Sequence, residues 1–169
     1  MSTVMNYNYL SVSGFVFSIE RSPNVRFNVQ RAIIPGMSIG VAESPSPFVN
    51  IPTPGDKVNY EELSVSFKLD EDMQSHKELH DWIVGMGTPE TFNQRSTYIA
   101  DNTGYPSSVY SDATLLVMTN KGVKNVEFTF KQLFPTSISG IDLNTMTQDT
   151  VFADATATFK YLNYTYRIV

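Results

Sequence analysis

Glu62-Leu63-Ser64-Val65-Ser66-Phe67-Lys68-Leu69 alternates without a break: Leu63, Val65, Phe67 and Leu69 are apolar, and Glu62, Ser64, Ser66 and Lys68 are polar. Successive side chains of a strand point to opposite faces, so this period of two predicts a β-strand with one face in a core and the other in water. The rhythm recurs on both sides. Phe15, Phe17 and Ile19 alternate between Gly14 and Glu20, and Val25, Phe27 and Val29 alternate with Arg26, Asn28 and Gln30 up to Arg31. Farther on, a strand is expected from Leu115 to Met118. Another runs from Val123 to Lys131, where Val126, Phe128 and Phe130 oppose Asn125, Glu127 and Thr129. The last runs from Ala155 to Leu162, where Ala155, Ala157, Phe159 and Tyr161 oppose Thr156, Thr158 and Lys160. Six half-buried strands predict a mainly β protein, an antiparallel sandwich or barrel.

Past Leu69 the period changes. Asp70 to Val84 places Met73, Leu79, Trp82 and Ile83 near a period of 3.6, begins with Asp70, Glu71 and Asp72, and meets Gly85 and Gly87 at its end. Acidic residues suit a helix N-terminus and glycine suits its C-terminus, so one flanking helix is expected with Asp70 as its cap. Between Pro35 and Pro54 lie Pro45, Pro47 and Pro52, which exclude a long helix or a central strand. Phe48, Val49 and Ile51 make this stretch more apolar than a solvated loop requires. It is either a loop folded back on its own core or an arm that packs on another subunit. Pro89 to Pro106 is polar and reads as an exposed loop.

The chain has 169 residues, 41% hydrophobic, which suits one domain with a substantial core. Seventeen acidic and 12 basic residues give a net charge of -5, which argues against a protein that grips phosphate backbones with a basic face. There is no cysteine, hence no disulfide, thiolate nucleophile or cysteine-bound metal. The first 20 residues lack the basic start and apolar run of a signal peptide, and no 18-residue apolar stretch offers a membrane span. A soluble, unprocessed chain without a membrane anchor is expected.

Chemical motifs are weak. Gly36-Met37-Ser38-Ile39-Gly40 matches a nucleophile elbow by letter, but Pro45 and Pro47 deny it the helix that must follow the serine. His76 and His80 share a helix face, yet Lys77 stands where a metalloprotease needs glutamate, and no third ligand is evident. Adjacent Glu61 and Glu62 point to opposite strand faces and cannot share a substrate. Asn163-Tyr164-Thr165 is a glycosylation sequon without meaning in a chain that is not secreted. No glycine-rich loop precedes a helix, and no basic stripe with interleaved aromatics offers a stacking platform. No catalytic residue, metal or cofactor is expected, and self-association explains the pattern better than catalysis does.

Arg31-Ala32-Ile33-Ile34-Pro35-Gly36 leaving a strand, the proline-containing arm, and then a strand running into an acidic helix with Trp82 together resemble the tail tube proteins of contractile-tailed bacteriophages. Gln132-Leu133-Phe134-Pro135-Thr136, Ser139-Gly140-Ile141-Asp142-Leu143 and the strand through Phe159-Lys160-Tyr161 are similar to that family's closing hairpin. The order of these features, from about Phe15 to Tyr166, carries the likeness. Tyr98 to Asp112 is longer than the family pattern, which leaves room for a tube initiator at the baseplate.

The resemblance implies one tail-tube-like domain over residues 1–169 with an arm at about 40–60, and hexameric rings that stack into a tube. The partners it implies are copies of the chain, sheath protein, tape measure protein, baseplate tube initiator and tail terminator. DNA would pass through the lumen without specific binding, in a virion tail assembled in host cytoplasm. A tube of a related contractile-injection or secretion system, conducting protein, is the alternative. Phe48, Val49, Ile51, Val58 and Tyr60 would make the inter-subunit arm. Glu62, Ser64, Ser66, Lys68, Asn125, Glu127, Thr129, Thr156, Thr158 and Lys160 would be lumen candidates. Glu71, Asp72 and Glu78 would lie on a sheath-facing helix. Most of the negative charge falls on that helix, Asp70 to Asp81 carrying five acids and one lysine, whereas the polar strand faces balance to zero.

Overall fold

The computed structural model describes residues 9–10, 14–87, 91, 93, 95–97, 109–144 and 152–169. In chain order these form β1 (Phe15–Ile19), α1 (Val25–Asn28), β2 (Val29–Ile33), β3 (Met37–Ser44), β4 (Ile51–Tyr60), β5 (Leu63–Lys68), α2 (Gln74–Gly87), β6 (Ser111–Met118), β7 (Lys124–Ile138), β8 (Asp154–Lys160) and β9 (Asn163–Ile168). Seven strands build one antiparallel sheet in the order β1-β6-β7-β8-β5-β2, with β9 also on β7. β3 and β4 stand apart as a two-stranded sheet.

The alternation of residues 62–69 survives as a core face: Leu63, Val65 and Phe67 are buried, paired with Phe159, Ala157 and Ala155 across β8. Phe17 and Ile19 of β1, Ala113, Leu115 and Val117 of β6, and Phe130 and Leu133 of β7 join that core, which Val25 of α1 and Leu79 and Trp82 of α2 close. β7 reaches far past Lys131. At Gln132 the backbone takes φ 52°, and its N–H donates to Asp112 Oδ1 at 3.0 Å. Such a bulge bends a strand. Up to Lys131 β7 pairs with β6 and β9, β6 keeps one more pair at Leu133, and from Phe134 on the partner is β8, so one strand turns the corner between the two halves of the sheet. Pro135 is tolerated because β7 is an edge there, bonded on one side only, next to a second irregularity in register. Gln132 to Thr136 therefore lies inside a strand that the alternation alone ended too early.

Three expectations need correction. Val25 to Arg31 is not one strand: α1 comes first and β2 begins at Val29. Asn24 Nδ2 donates to Glu78 Oε1 at 2.5 Å and Asn28 Nδ2 to Ser75 Oγ at 3.1 Å, so contacts with α2 outweigh local alternation. Asp70 does not cap α2. Its carbonyl accepts the Met73 N–H, closing a turn, and Met73 at φ 51° then accepts from Lys77 N–H at the true start. The helix also runs through Gly85, which is buried, and ends at Gly87. Beyond Leu162, β9 continues the fold with Tyr164, Tyr166 and Ile168 on one face, an alternation present in the sequence but not read as a strand. The loop expected at Pro89 to Pro106, the long stretch at Tyr98 to Asp112 and the N-terminal segment lie largely outside the described residues. No described helix is long and apolar enough to cross a membrane.

Candidate functional site

The β3–β4 ribbon does not fold back on its own core. Every residue of β3 and all of β4 except Gly55 are exposed, and Phe48 at the tip is 97% exposed. Register divides the ribbon into two unlike faces. Met37, Ile39, Val41 and Glu43 pair with Tyr60, Val58, Pro54 and Pro52, giving one largely apolar face. Ser38, Ala42 and Ser44 with Asn59, Thr53 and Ile51 form the other. Of the five expected arm residues, Val58 and Tyr60 thus share the apolar face, Ile51 lies opposite, and Phe48 and Val49 sit at the tip. Met37, Ile39 and Val41 were missed, although their alternation with Ser38, Gly40 and Ala42 was visible. The letter match to a nucleophile elbow covered the same residues, and Ser38 proves to be an exposed strand residue with no helix after it.

Two details shape the ribbon. Gly40 has no cross-strand partner, the register jumping between Ile39 and Val41, and a Cβ on Gly55 would lie 2.8 Å from the Gly40 carbonyl oxygen. Only glycine permits that close approach. Pro52 and Pro54 occupy alternate positions of a ladder they cannot donate to, so their nitrogens lie on the outer edge of β4. That edge cannot template a further strand, and the arm must dock through side chains there.

At its root the ribbon is fastened. Glu61 N–H donates to the Gly36 carbonyl at 3.0 Å, while Gly36 N–H donates to Glu61 Oε2 at 3.2 Å. Tyr161 Oη donates to the Glu61 carbonyl at 2.9 Å, and Tyr164 Oη lies 3.4 Å from the Pro35 carbonyl. The Tyr60 ring sits 5.9 Å from Tyr161 and 5.6 Å from Tyr164, the edge-on spacing aromatic rings favour. Burial, then Tyr164, Tyr60 and Glu61 nearby, push the Tyr161 phenol well above its usual pKa, so it remains a donor. The apolar ribbon face therefore runs without interruption into Tyr164, Phe128 and Tyr166.

The ten lumen candidates occupy two separate surfaces. Ser64 pairs with Thr158 and Ser66 with Thr156 on the β5–β8 outer face, where Ser66 Oγ and Thr156 Oγ1 are 2.9 Å apart. Lys160 Nζ reaches Glu62 Oε1 at 3.4 Å on the same surface, and Lys68 Nζ lies 5.0 Å from the Phe152 ring centre. Asn125, Glu127 and Thr129 belong instead to the half of β7 that pairs with β6 and β9, where Arg167 meets Glu127 at 2.6 Å.

Of the three acids expected on the helix exterior, Glu71 and Asp72 are exposed in the turn before α2. Glu78 is half-buried and turned onto Asn24, with Oε2 buried and unpartnered. Burial raises its pKa, as does the Asp70 charge, against the lowering by hydrogen bonds from Asn24. A folded pKa above the unfolded one means the carboxyl favours folding fully below its unfolded pKa and loses that contribution as pH rises through the folded value. Glu78→Gln is therefore expected to raise the melting temperature at pH 7 and to flatten its decline from about pH 4 to 7. Thermal denaturation across that range checks both. His76 and His80 stack with ring centres 6.5 Å apart, and His80 Nδ1 lies 3.3 Å from Asp81. Among the described residues no cluster of three histidine or carboxylate side chains is positioned to hold a metal ion.

Residues 3–167 match the family model described as phage tail tube protein. The chain belongs to that family. Its fold is similar to a chain of the extended sheath–tube complex of the PVC extracellular contractile injection system, with 15% identity, TM-score 0.67, and 100% and 99% of the two chains covered. It is also similar to a chain of the tube-terminating cap of the anti-feeding prophage (11%, TM-score 0.66, 99% and 97% covered). A third likeness is to a chain of the six-fold symmetrised anti-feeding prophage baseplate (10%, TM-score 0.57, 96% and 97% covered). No curated protein matches in sequence. Membership makes the chain a tail tube component, and the mainly β fold with one principal helix is the fold these tube, cap and baseplate chains share.

Proposed function

We propose that the chain assembles into six-membered rings whose stack forms the bore of a contractile phage tail, through which DNA leaves the virion. The observation that carries this is the projecting ribbon with an exposed apolar face and an almost wholly exposed tip, a surface that costs solubility unless another copy covers it. Family membership supports the phage tail, and the likeness to chains of a six-fold symmetrised baseplate and a sheath–tube complex supports ring symmetry and a sheath partner. Baseplate, terminator and tape measure proteins are the further contacts of such a tube. Glu71 and Asp72 are the acids available to a sheath.

The β5–β8 face is the proposed bore lining. Its hydroxyls in register and its internally paired Glu62 and Lys160 offer few free cations to phosphates, as a conduit for DNA requires. Light scattering and negative-stain microscopy of the purified chain test the assembly: rings or tubes are expected, and a strict monomer at high concentration overturns the reading. In the same tubes, Ser64→Arg with Ser66→Arg is expected to permit assembly but slow DNA release at least tenfold, while Thr129→Arg leaves release unchanged. The opposite ranking moves the lining to the β7 face.

A further inference from the structure

We infer that an apolar groove at the seam between β1 and β2 is the receptor for Phe48 of a second copy of this chain. This rests on the ring-forming reading above and names what the arm grips. β1 and β2 end the strand path and are not hydrogen-bonded to each other, so the sheet is open there. The opening leaves a cavity of about 180 Å³ walled by Phe15, Ala32, Ile34, Leu115 and Val117 together with Leu10 and Gly14 from the N-terminal side, without a charged side chain in its lining.

Size and chemistry match the tip of the arm. An apolar protein cavity of about 150 Å³ is known to take up benzene, and the ring of phenylalanine is a phenyl group. Phe48 is almost wholly exposed, with Val49 and Ile51 beside it. Two other exposed aromatics are engaged within their own chain, Phe152 beneath Lys68 and Tyr166 against Phe128, while Tyr9, 94% exposed, lies beside the groove's own Leu10 rather than on the ribbon. Among the described residues Phe48 alone stands at the free end of a projecting ribbon.

The occupant must come from another copy. Ile34 of the groove lies just before the ribbon, and eight strand residues at about 3.3 Å each hold Phe48 roughly 26 Å beyond that root. A rigid ribbon cannot bring its tip back to its own base. Tip and groove are also different surfaces, so their contact is heterologous. Such contacts close into rings or continue as stacks rather than ending in a two-fold dimer. This contact supplies one of the two that a stack of closed rings needs, within a ring or between rings, with the aromatic tip as its buried anchor.

The absence of cysteine makes disulfide trapping free of background. Chains carrying Phe48→Cys are mixed with chains carrying Ala32→Cys, assembled and oxidised, with Val117→Cys as a second groove position. Disulfides form only when Cα atoms come within about 7 Å. The expected result is a cross-linked heterodimer at least tenfold more abundant than the product of either variant alone. Three results overturn the assignment. Phe48→Cys chains linking mainly to each other would pair tip with tip. No cross-link in samples where microscopy shows rings or tubes would place the tip elsewhere. An intramolecular disulfide in a Ser2→Cys/Ala32→Cys chain would give the groove to the chain's own N-terminal segment. Failure of the unmodified chain to assemble is a separate result and overturns the ring-forming reading itself.

Discussion

Phe48→Asp is expected to leave the monomer folded and to abolish assembly. The side chain touches almost nothing in its own chain, and surface changes of that kind shift stability by about 0.5 kcal/mol or less. In a subunit contact the same carboxylate would be desolvated without a partner, which costs about 3–5 kcal/mol. Each 1.4 kcal/mol is about tenfold in an equilibrium constant, so a single tip contact weakens by roughly two to four orders of magnitude. A tube repeats that contact at every subunit, and ring closure fails long before the monomer does. Sedimentation or light scattering reads the loss, and circular dichroism melting reads the unchanged fold. Ile51→Asp is expected to act in the same direction but more weakly, because Ile51 lies on the polar face of the ribbon. Tubes of normal length from Phe48→Asp would refute the arm assignment.

Trp82→Ala carries the second large effect, and it acts on the fold rather than on assembly. The indole is buried between α2 and the sheet, its Nε1–H donates to the Val109 carbonyl at 2.9 Å, and the Arg21 guanidinium lies 5.2 Å from its ring centre. Deleting a buried aromatic side chain costs about 3–5 kcal/mol, a large share of the about 5–15 kcal/mol that holds a domain together. At about 2–4 °C per kcal/mol for a chain of this length, the melting temperature should fall by roughly 6–20 °C. Trp82→Phe keeps much of the packed volume while leaving the Val109 carbonyl without its donor, and should lose less than half as much. A Trp82→Ala chain that melts within 2 °C of the parent would show that α2 adds little to the core.

The contrast between these variants follows what was legible in the residues. Alternation identified β1, β5, β8 and the first half of β7 because each has one face in a core and one in water, and side-chain chemistry records that difference directly. It failed at Val25 to Asn28, where α1 alternates by coincidence and is held by Asn24 and Asn28 reaching α2 some fifty residues away. It failed again at Gln132, where a left-handed residue and the distant Asp112 carboxylate let β7 turn a corner. Among the site residues, proline spacing and stranded apolar side chains located the arm. The faces of the ribbon, the missed Met37, Ile39 and Val41, and the inward turn of Glu78 all needed a register or a partner that no local pattern encodes.

By itself the sequence determined a mainly β chain with a single principal helix, an arm that could be neither helix nor central strand, and an order of features resembling tail tube proteins. These follow from side-chain polarity, from the missing N–H of proline and from the preferences of helix ends, all of which act within a few residues. Only the tertiary structure decided that the arm stands away from the core, that its apolar face meets Tyr161 after β8 and Tyr164 of β9 through Tyr60, and that the lumen candidates divide between two surfaces. Those outcomes depend on which strands become neighbours, and pairings such as Leu63 with Phe159 join residues nearly a hundred positions apart. Burial can favour such a partner, but only the folded chain selects it.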